Sequence, residues 1–260
     1  MTMTPATLFG SDKTSPCVRQ VYGVSGSGKT VFLNHMLREA AKDRSFGPLW
    51  RAVVYDVKHE GYSSLVKKPT TNHMETVRNM KKQKITVVHP DIEEAQSTLD
   101  GIINHMFGLA QTIEDFSGVL IIEECSTYIR STVGGIPASI KRFATQGRSL
   151  GLSLLLVNQR SLSNRWTDSQ SNSLTMFRQP IPDADALKKK WGVNGEEVNA
   201  KLAEKPFSFA HFDLESLNIS YYNPIEMPPP TAKPVDGSEK ERKTKVPKGP
   251  DLYRLIGKIS

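Results

Sequence analysis

Gly23-Val24-Ser25-Gly26-Ser27-Gly28-Lys29-Thr30 fits the spacing G-x-x-x-x-G-K-S/T at every fixed position. Glycines in this pattern let backbone N–H groups curl around a polyphosphate, and a helix beginning at the lysine adds the positive end of its dipole. Lys29 is then placed for the β- and γ-phosphates, and the Thr30 hydroxyl for Mg²⁺. Gly23 to Gly28, with Lys29, Thr30 and Val31, form the expected cradle. The pattern implies that the chain binds a nucleoside triphosphate.

Hydrolysis needs an acidic strand beside that loop, and Val119-Leu120-Ile121-Ile122-Glu123-Glu124 supplies one. An apolar strand ending in an acid brings a carboxylate to the Mg²⁺ shell, and a second acid directly after it can polarise the attacking water. Glu123 is therefore assigned to Mg²⁺ and Glu124 to the general base. Gln159 closes the next apolar run, LSLLLVNQ, where a polar amide at a sheet edge can sense the γ-phosphate or orient water; Asn158 is the alternative. Arg148, in QGRSLG, is the candidate arginine finger, a guanidinium that oligomeric motors commonly supply in trans. Arg142 and Arg160 compete for that role. Asp56 and Lys58 end another strand, and either help to order the site or a neighbouring subunit, or simply form a turn.

These residues need strands and helices to hold them. Val18 to Tyr22 is β-prone, and Val31 to Ala41 places Phe32, Met36, Leu37 and Ala40 at helical spacing. Arg51 to Val57, Ile85 to His89, Gly118 to Glu124 and Leu152 to Gln159 read as strands, the last two apolar enough to be buried on both faces of a parallel sheet. Helical patterns fall at Ile92 to Ala110 and Ile136 to Arg148, with a basic surface stretch from Lys67 to Lys84. Alternation of this kind predicts an α/β fold with a mainly parallel central sheet flanked by helices. Further on, Ser173 to Arg178 reads as a strand, Asp183 to Trp191 as a short helix, and Phe207 to Phe212 with Asn218 to Tyr222 as paired strands. The expected organisation is a flexible N-terminus (1–15), one ATPase domain (16–223) and a disordered Pro/Lys-rich tail (224–260). The end of that tail, Asp251 to Ser260, is either a docking peptide or a frayed terminus.

Composition narrows the remaining classes. The 260 residues carry a formal charge of +7, consistent with a polyanionic partner or with a plain basic protein. Lys67, Lys68, Arg78, Lys81, Lys82 and Lys84 are the candidate contacts for such a polyanion, each of them alternatively plain solvated surface. No run of about 18 apolar residues encodes a membrane span, and Met1 to Ser15 lacks the apolar core of a signal peptide. The two cysteines, Cys17 and Cys125, have no partnering motif. Val31 breaks any G-x-G-x-x-G reading, no G-x-S-x-G elbow occurs, and the histidines lack metal-ligand spacing.

The order of these parts resembles the HerA/FtsK superfamily of DNA-pumping ATPases. It carries a P-loop, an Asp-x-Lys ending to the second strand, the VLIIEE strand and the GRSLGLSLLLVNQ segment. The short chain looks most like the genome-packaging ATPases of membrane-containing viruses with double-jelly-roll capsids. The resemblance covers Arg19 to Gln159. It implies a RecA-like fold, ATP and Mg²⁺ as cofactors, and a homo-oligomeric ring, pentamer or hexamer, that translocates double-stranded DNA. It also implies a capsid-vertex or viral membrane protein as docking partner, at the packaging vertex of the virion or in the host cytoplasm. Lys29 and Thr30 match the P-loop pair, Glu123 and Glu124 the acidic strand, Gln159 the sensor and Arg148 the finger. Glu123 stands where the wider P-loop class usually has Asp; the longer carboxylate still reaches Mg²⁺. Alternatives are a phage assembly or secretion ATPase, and a non-hydrolytic ATP-dependent assembly switch.

Overall fold

In the computed structural model, which describes residues 3–10, 16–59, 61–127, 135–160 and 164–225, the apolar runs become the middle of one sheet. Its strands are β1 (Val18–Tyr22), β2 (Trp50–Tyr55), β3 (Ile85–Val88), β4 (Ser117–Ile122), β5 (Leu152–Asn158), β6 (Ser173–Met176), β7 (Phe209–Asp213) and β8 (Asn218–Tyr222). They lie in the order β3-β2-β4-β5-β1-β6-β7-β8. All pairs from β3 to β6 are parallel, whereas β6–β7 and β7–β8 are antiparallel. The fold is thus α/β with a mainly parallel sheet, as the alternation predicts.

Side chains alternate across a strand, and both faces of this sheet are covered. Val53, Tyr55, Leu120, Ile122, Leu154 and Leu156 pack on one face against α4 (Ala95–Thr112) and α5 (Ala138–Gln146). Their strand neighbours Ala52, Val54, Val119, Ile121, Leu155 and Val157 face the other way, against Phe32, Leu33, Met36 and Leu37 of α2 (Lys29–Lys42). The period-2 division explains why β2, β4 and β5 read as continuous apolar runs. A third apolar cluster joins Leu174, Met176 and Phe212 to Leu187 of α7 (Ile181–Trp191) and to Val198 and Leu202 of α8 (Gly195–Ala203).

Two boundaries differ from expectation. The N-terminus, expected to be flexible, forms α1 (Pro5–Phe9), with Pro5 in the first turn and Thr4 capping Thr7 N. Phe9 is buried against Trp50, ring centroids 6.3 Å apart, and Leu8 is equally buried. Five helical residues cannot hold themselves together in water, so this packing supplies their order. At the other end, Ile225 still packs on the core, so the folded unit runs past residue 223. Residues 1–2, 11–15 and 226–260 lie outside the described residues, as does the expected docking peptide. The basic stretch folds in part as α3 (His73–Met80), capped by Asn72 on Glu75 N; α6 (Arg165–Gln170) precedes β6. Lys67, Lys68, Arg78 and Lys82 are exposed, while Lys84 Nζ turns inward to the Ala41 carbonyl at 3.1 Å.

Because the parallel strands run the same way, their C-terminal ends share one edge. The residues following β1, β2, β4, β5 and β6 therefore converge there: Gly23–Gly28, Asp56–His59, Glu123–Glu124, Gln159 and Phe177. Crevices at such edges are where open α/β sheets bind ligands.

Candidate nucleotide site

The turn from β1 into α2 needs glycine where the chain crowds its neighbours. Gly23 has φ +155°, and a Cβ there would lie 2.5 Å from Phe177 Cβ. The loop is pinned by Val24 N donating to the Arg178 carbonyl at 3.0 Å and by Ser27 N donating to the Val24 carbonyl at 3.2 Å. Gly28 caps α2 without a side-chain acceptor, and the first turn holds no acid, so its N–H groups remain available to an anion. Lys29 is 6% exposed and folds back, donating to the Gly23 carbonyl at 2.6 Å and the Val24 carbonyl at 3.1 Å. Burial lowers its pKa, with Glu123 and Glu124 opposing the shift.

Glu123 leaves β4 as a buried carboxyl whose Oε2 accepts the Tyr62 hydroxyl at 2.8 Å. Burial raises its pKa to about 7, against the opposing pull of that hydrogen bond and of Lys29. Tyr62 is fully buried and its phenol also meets the Thr30 side chain, so one ring stands between Thr30 and Glu123. Its loop approaches closely because residue 61 is glycine: φ is +89°, and a Cβ would fall 2.4 Å from Thr30 Cγ2. Asn34 Nδ2 ties the same loop to α2, donating to the Gly61 carbonyl at 2.6 Å and the Thr30 carbonyl at 2.9 Å. Hydroxyl and carboxylate oxygens side by side suit a hard cation such as Mg²⁺, which takes few protein ligands and completes its shell with phosphate and water. Among the described residues no group of three or more His, Cys, Asp or Glu is gathered for a metal.

Glu124 has φ +49°, a strained conformation for a non-glycine residue and one that recurs at functional sites. Its Oε1 accepts Lys58 Nζ at 2.6 Å and Gln159 Nε2 at 2.9 Å. Asp56, fully buried, accepts Lys58 N at 3.1 Å and so turns the end of β2 toward the site. The alternation along β5 separates Gln159 from Asn158: Gln159 continues the Leu155–Val157 face toward α2 and lines the cavity, whereas Asn158 is buried in the strand. The structure thus brings Lys29, Thr30, Glu123, Glu124 and Gln159 together, with Asp56 and Lys58, around a cavity of 460 Å³. Part of its wall is apolar, formed by Phe177, Phe207, Phe209, Pro224 and Ile225.

The arginines part company from this group. Arg148 sits on the 3-10 turn Gly147–Leu150 that leads into β5, at the opposite edge of the sheet. The strand between it and Gln159 spans about 20 Å at 3.3 Å per residue, so Arg148 does not reach the cavity of its own chain. Arg142 lies over the Phe107 ring, 4.3 Å from its centroid, and Arg160 neighbours Asp183. Sequence reasoning missed Tyr62 and Phe207, and also Arg178, which lines a second hollow against Val24–Ser27.

No family model matches the chain, and no curated protein matches it. Its fold does match solved structures. The genome packaging NTPase B204 from Sulfolobus turreted icosahedral virus 2, in complex with ATP-gammaS, superposes with a TM-score of 0.62 at 19% identity, covering 86% of this chain and 100% of that one. The cytoplasmic domain of the type VII secretion ATPase EccC of Thermomonospora curvata gives 0.55 at 16% identity, over 81% of this chain and 25% of that one. VirB4 of Thermoanaerobacter pseudethanolicus gives 0.58 at 8% identity, over 83% and 91%. The chain thus has the fold shared by a viral genome-packaging NTPase, a type VII secretion ATPase and VirB4.

Proposed function

We propose that this chain is an ATP-hydrolysing motor that translocates double-stranded DNA and packages a viral genome into a preformed capsid. The observation that carries the reading is the convergence on one cavity of the P-loop, the Thr30, Tyr62 and Glu123 side chains and the Glu124–Gln159 pair. Thr30 and Glu123 would hold Mg²⁺, whose charge offsets that of the β- and γ-phosphate oxygens. Lys29 exchanges its two loop carbonyls for those phosphates. Glu124 accepts the proton of the attacking water, and Gln159 orients that water or senses the γ-phosphate. Arg148, at the far edge of the sheet, would serve the site of a neighbouring copy in a pentameric or hexameric ring. Exposed Lys67, Lys68, Arg78 and Lys82 would meet DNA phosphates without reading sequence.

Likeness of fold to the B204 packaging NTPase supports the reading, as does the basic charge. In this setting the chain works at the packaging vertex or in the host cytoplasm, docked on a vertex or viral membrane protein; no helix among the described residues is long and apolar enough to cross a membrane. The likeness to the type VII secretion ATPase EccC favours a second reading, an assembly or secretion ATPase. Hydrolysis measured with and without linear duplex DNA, beside Lys29→Ala and Glu124→Gln, separates the two. A packaging motor gives DNA-stimulated turnover that both substitutions abolish. Turnover indifferent to DNA points to the secretion reading, and tight binding without turnover to an assembly switch.

A further inference from the structure

Phe207 is 60% exposed although it belongs to a chain that buries most of its aromatic rings. Its backbone is left-handed, φ +64°, in a residue with no side-chain reason to adopt that conformation. The surrounding turn is held firmly. Ser208 Oγ donates to the Lys205 carbonyl at 2.7 Å and to the Leu202 carbonyl at 3.2 Å, and Ser208 N donates to the Lys205 carbonyl at 3.2 Å. The next ring, Phe209, is fully committed: it stacks on Tyr222 at 5.1 Å and on Phe177 at 5.4 Å, and lies 4.6 Å from Phe32. Phe207 lies beside that cluster at the start of α2, where a Cβ on Gly28 would be 3.3 Å from its Cδ1 and 3.8 Å from Phe177 Cε1. Among the described residues no other ring stacks on it.

Phosphates seated on the loop from Ser25 to Thr30 leave the rest of a nucleotide to run past Val31 along the apolar wall of the same cavity. There Phe207, Pro224 and Ile225 offer an aromatic face and aliphatic edges, and none of the three side chains has a hydrogen-bond donor or acceptor. We infer that the Phe207 ring is the stacking platform for the nucleobase, and that the site holds the base by stacking without reading its edge, accepting adenosine and guanosine triphosphates alike. The inference rests on the nucleotide-binding reading of the Gly23–Thr30 loop and adds to it the base subsite and its tolerance. Every base has a π-face, so stacking does not discriminate as a hydrogen-bonded edge does.

The test is calorimetric titration of the full chain with Mg²⁺ and the non-hydrolysable imido analogues of ATP and GTP, and with inorganic tripolyphosphate, which lacks a base. Phe207→Ala should weaken both analogues about tenfold, the usual effect of removing one stacking ring. It should leave tripolyphosphate binding unchanged, and Phe207→Trp should restore the analogues. The unmodified chain should bind the two analogues within about threefold of each other, since Phe207, Pro224 and Ile225 carry no polar group to read the base edge. Equal affinity of Phe207→Ala and the unmodified chain for the analogues would overturn the platform. A parallel loss of tripolyphosphate would overturn it too, as damage to the loop itself. Preference for one purine by about a hundredfold or more would overturn the tolerance. If tripolyphosphate and both analogues all fail to bind the unmodified chain, the nucleotide reading falls and the platform with it.

Discussion

Lys58 Nζ donates to Glu124 Oε1 at 2.6 Å, tying the end of β2 to the end of β4 across the mouth of the nucleotide cavity. The same oxygen accepts Gln159 Nε2, so both of its favourable acceptor positions are taken. A carboxylate acting as base must offer a lone pair to water, and with Lys58 and Gln159 on Oε1 that role is confined to Oε2 until Lys58 leaves. The lysine side chain is 40% exposed, which leaves it open to capture by a polyanion.

Lys58→Ala should therefore raise turnover in the absence of DNA severalfold and shrink the stimulation that DNA provides, with nucleotide affinity unchanged. Steady-state hydrolysis with and without linear duplex, at low and moderate salt, measures both. A fall in DNA-free turnover would show instead that Lys58 positions Glu124.

Tyr62 stands between Thr30 and Glu123 with its hydroxyl buried, and Tyr62→Phe removes the hydroxyl while keeping the ring. Glu123 then loses its donor inside the protein, a loss of about 1–3 kcal/mol for a buried polar group. The carboxyl also becomes harder to ionise, because that hydrogen bond favours the charged form. The expected result is a Mg²⁺ requirement for half-maximal turnover raised about tenfold, the factor that 1.4 kcal/mol represents. A Mg²⁺ titration of hydrolysis reads it directly; an unchanged midpoint would remove Tyr62 from the metal shell's support.

His211 on β7 faces Thr175 on β6, its Nδ1 3.1 Å from the threonine hydroxyl, and is 6% exposed. Burial, helped by the nearby Arg19 guanidinium and opposed by Asp213, lowers its pKa from 6.5 to about 4. Between those values the unfolded chain binds a proton that the folded chain refuses, so stability falls as pH drops from 6.5 toward 4. Above 6.5 the contribution is constant. The whole window is worth on the order of 3 kcal/mol. His211→Asn keeps an acceptor for Thr175 and removes the titration. Thermal unfolding at pH 7 and pH 4.5 should show the unmodified chain losing several degrees more than the variant.

The legible part of this site lies in local patterns that end at one sheet edge. Gly23–Thr30, Glu123–Glu124 and Gln159 each close an apolar run, and in a parallel sheet such closures are neighbours whatever their separation in the chain. Tyr62 sits in a connection with no periodicity. Arg178 closes and Phe207 opens an apolar run that reads as a strand, but they fall just outside β6 and β7, and only the tertiary approach gives the three their meaning. The glycine at 61 was the available signal for Tyr62, since a glycine beside an aromatic in a long connection marks close backbone approach. Phe9 escaped for a different reason. Thr4-Pro5 is a readable helix start, but five residues carry too little periodicity to oppose the polar composition around them.

Arg148 tests the assembly rather than the single chain. It stands before β5 while the P-loop follows β1, which runs parallel beside it, so the two lie at opposite edges of the sheet. A catalytic part for Arg148 therefore requires a second copy. Arg148→Ala should leave nucleotide affinity intact and lower turnover by about 10³-fold, as loss of an arginine finger does. Lys29→Ala should be inactive through its own P-loop. Mixing the two inactive variants creates interfaces in which an intact Lys29 site faces an intact Arg148, so activity should return in part as the ratio approaches equality. Recovery with Arg142→Ala or Arg160→Ala in place of Arg148→Ala would move the finger to that residue. Full activity of Arg148→Ala alone would remove Arg148 from catalysis, because no rearrangement within one chain carries it across the sheet.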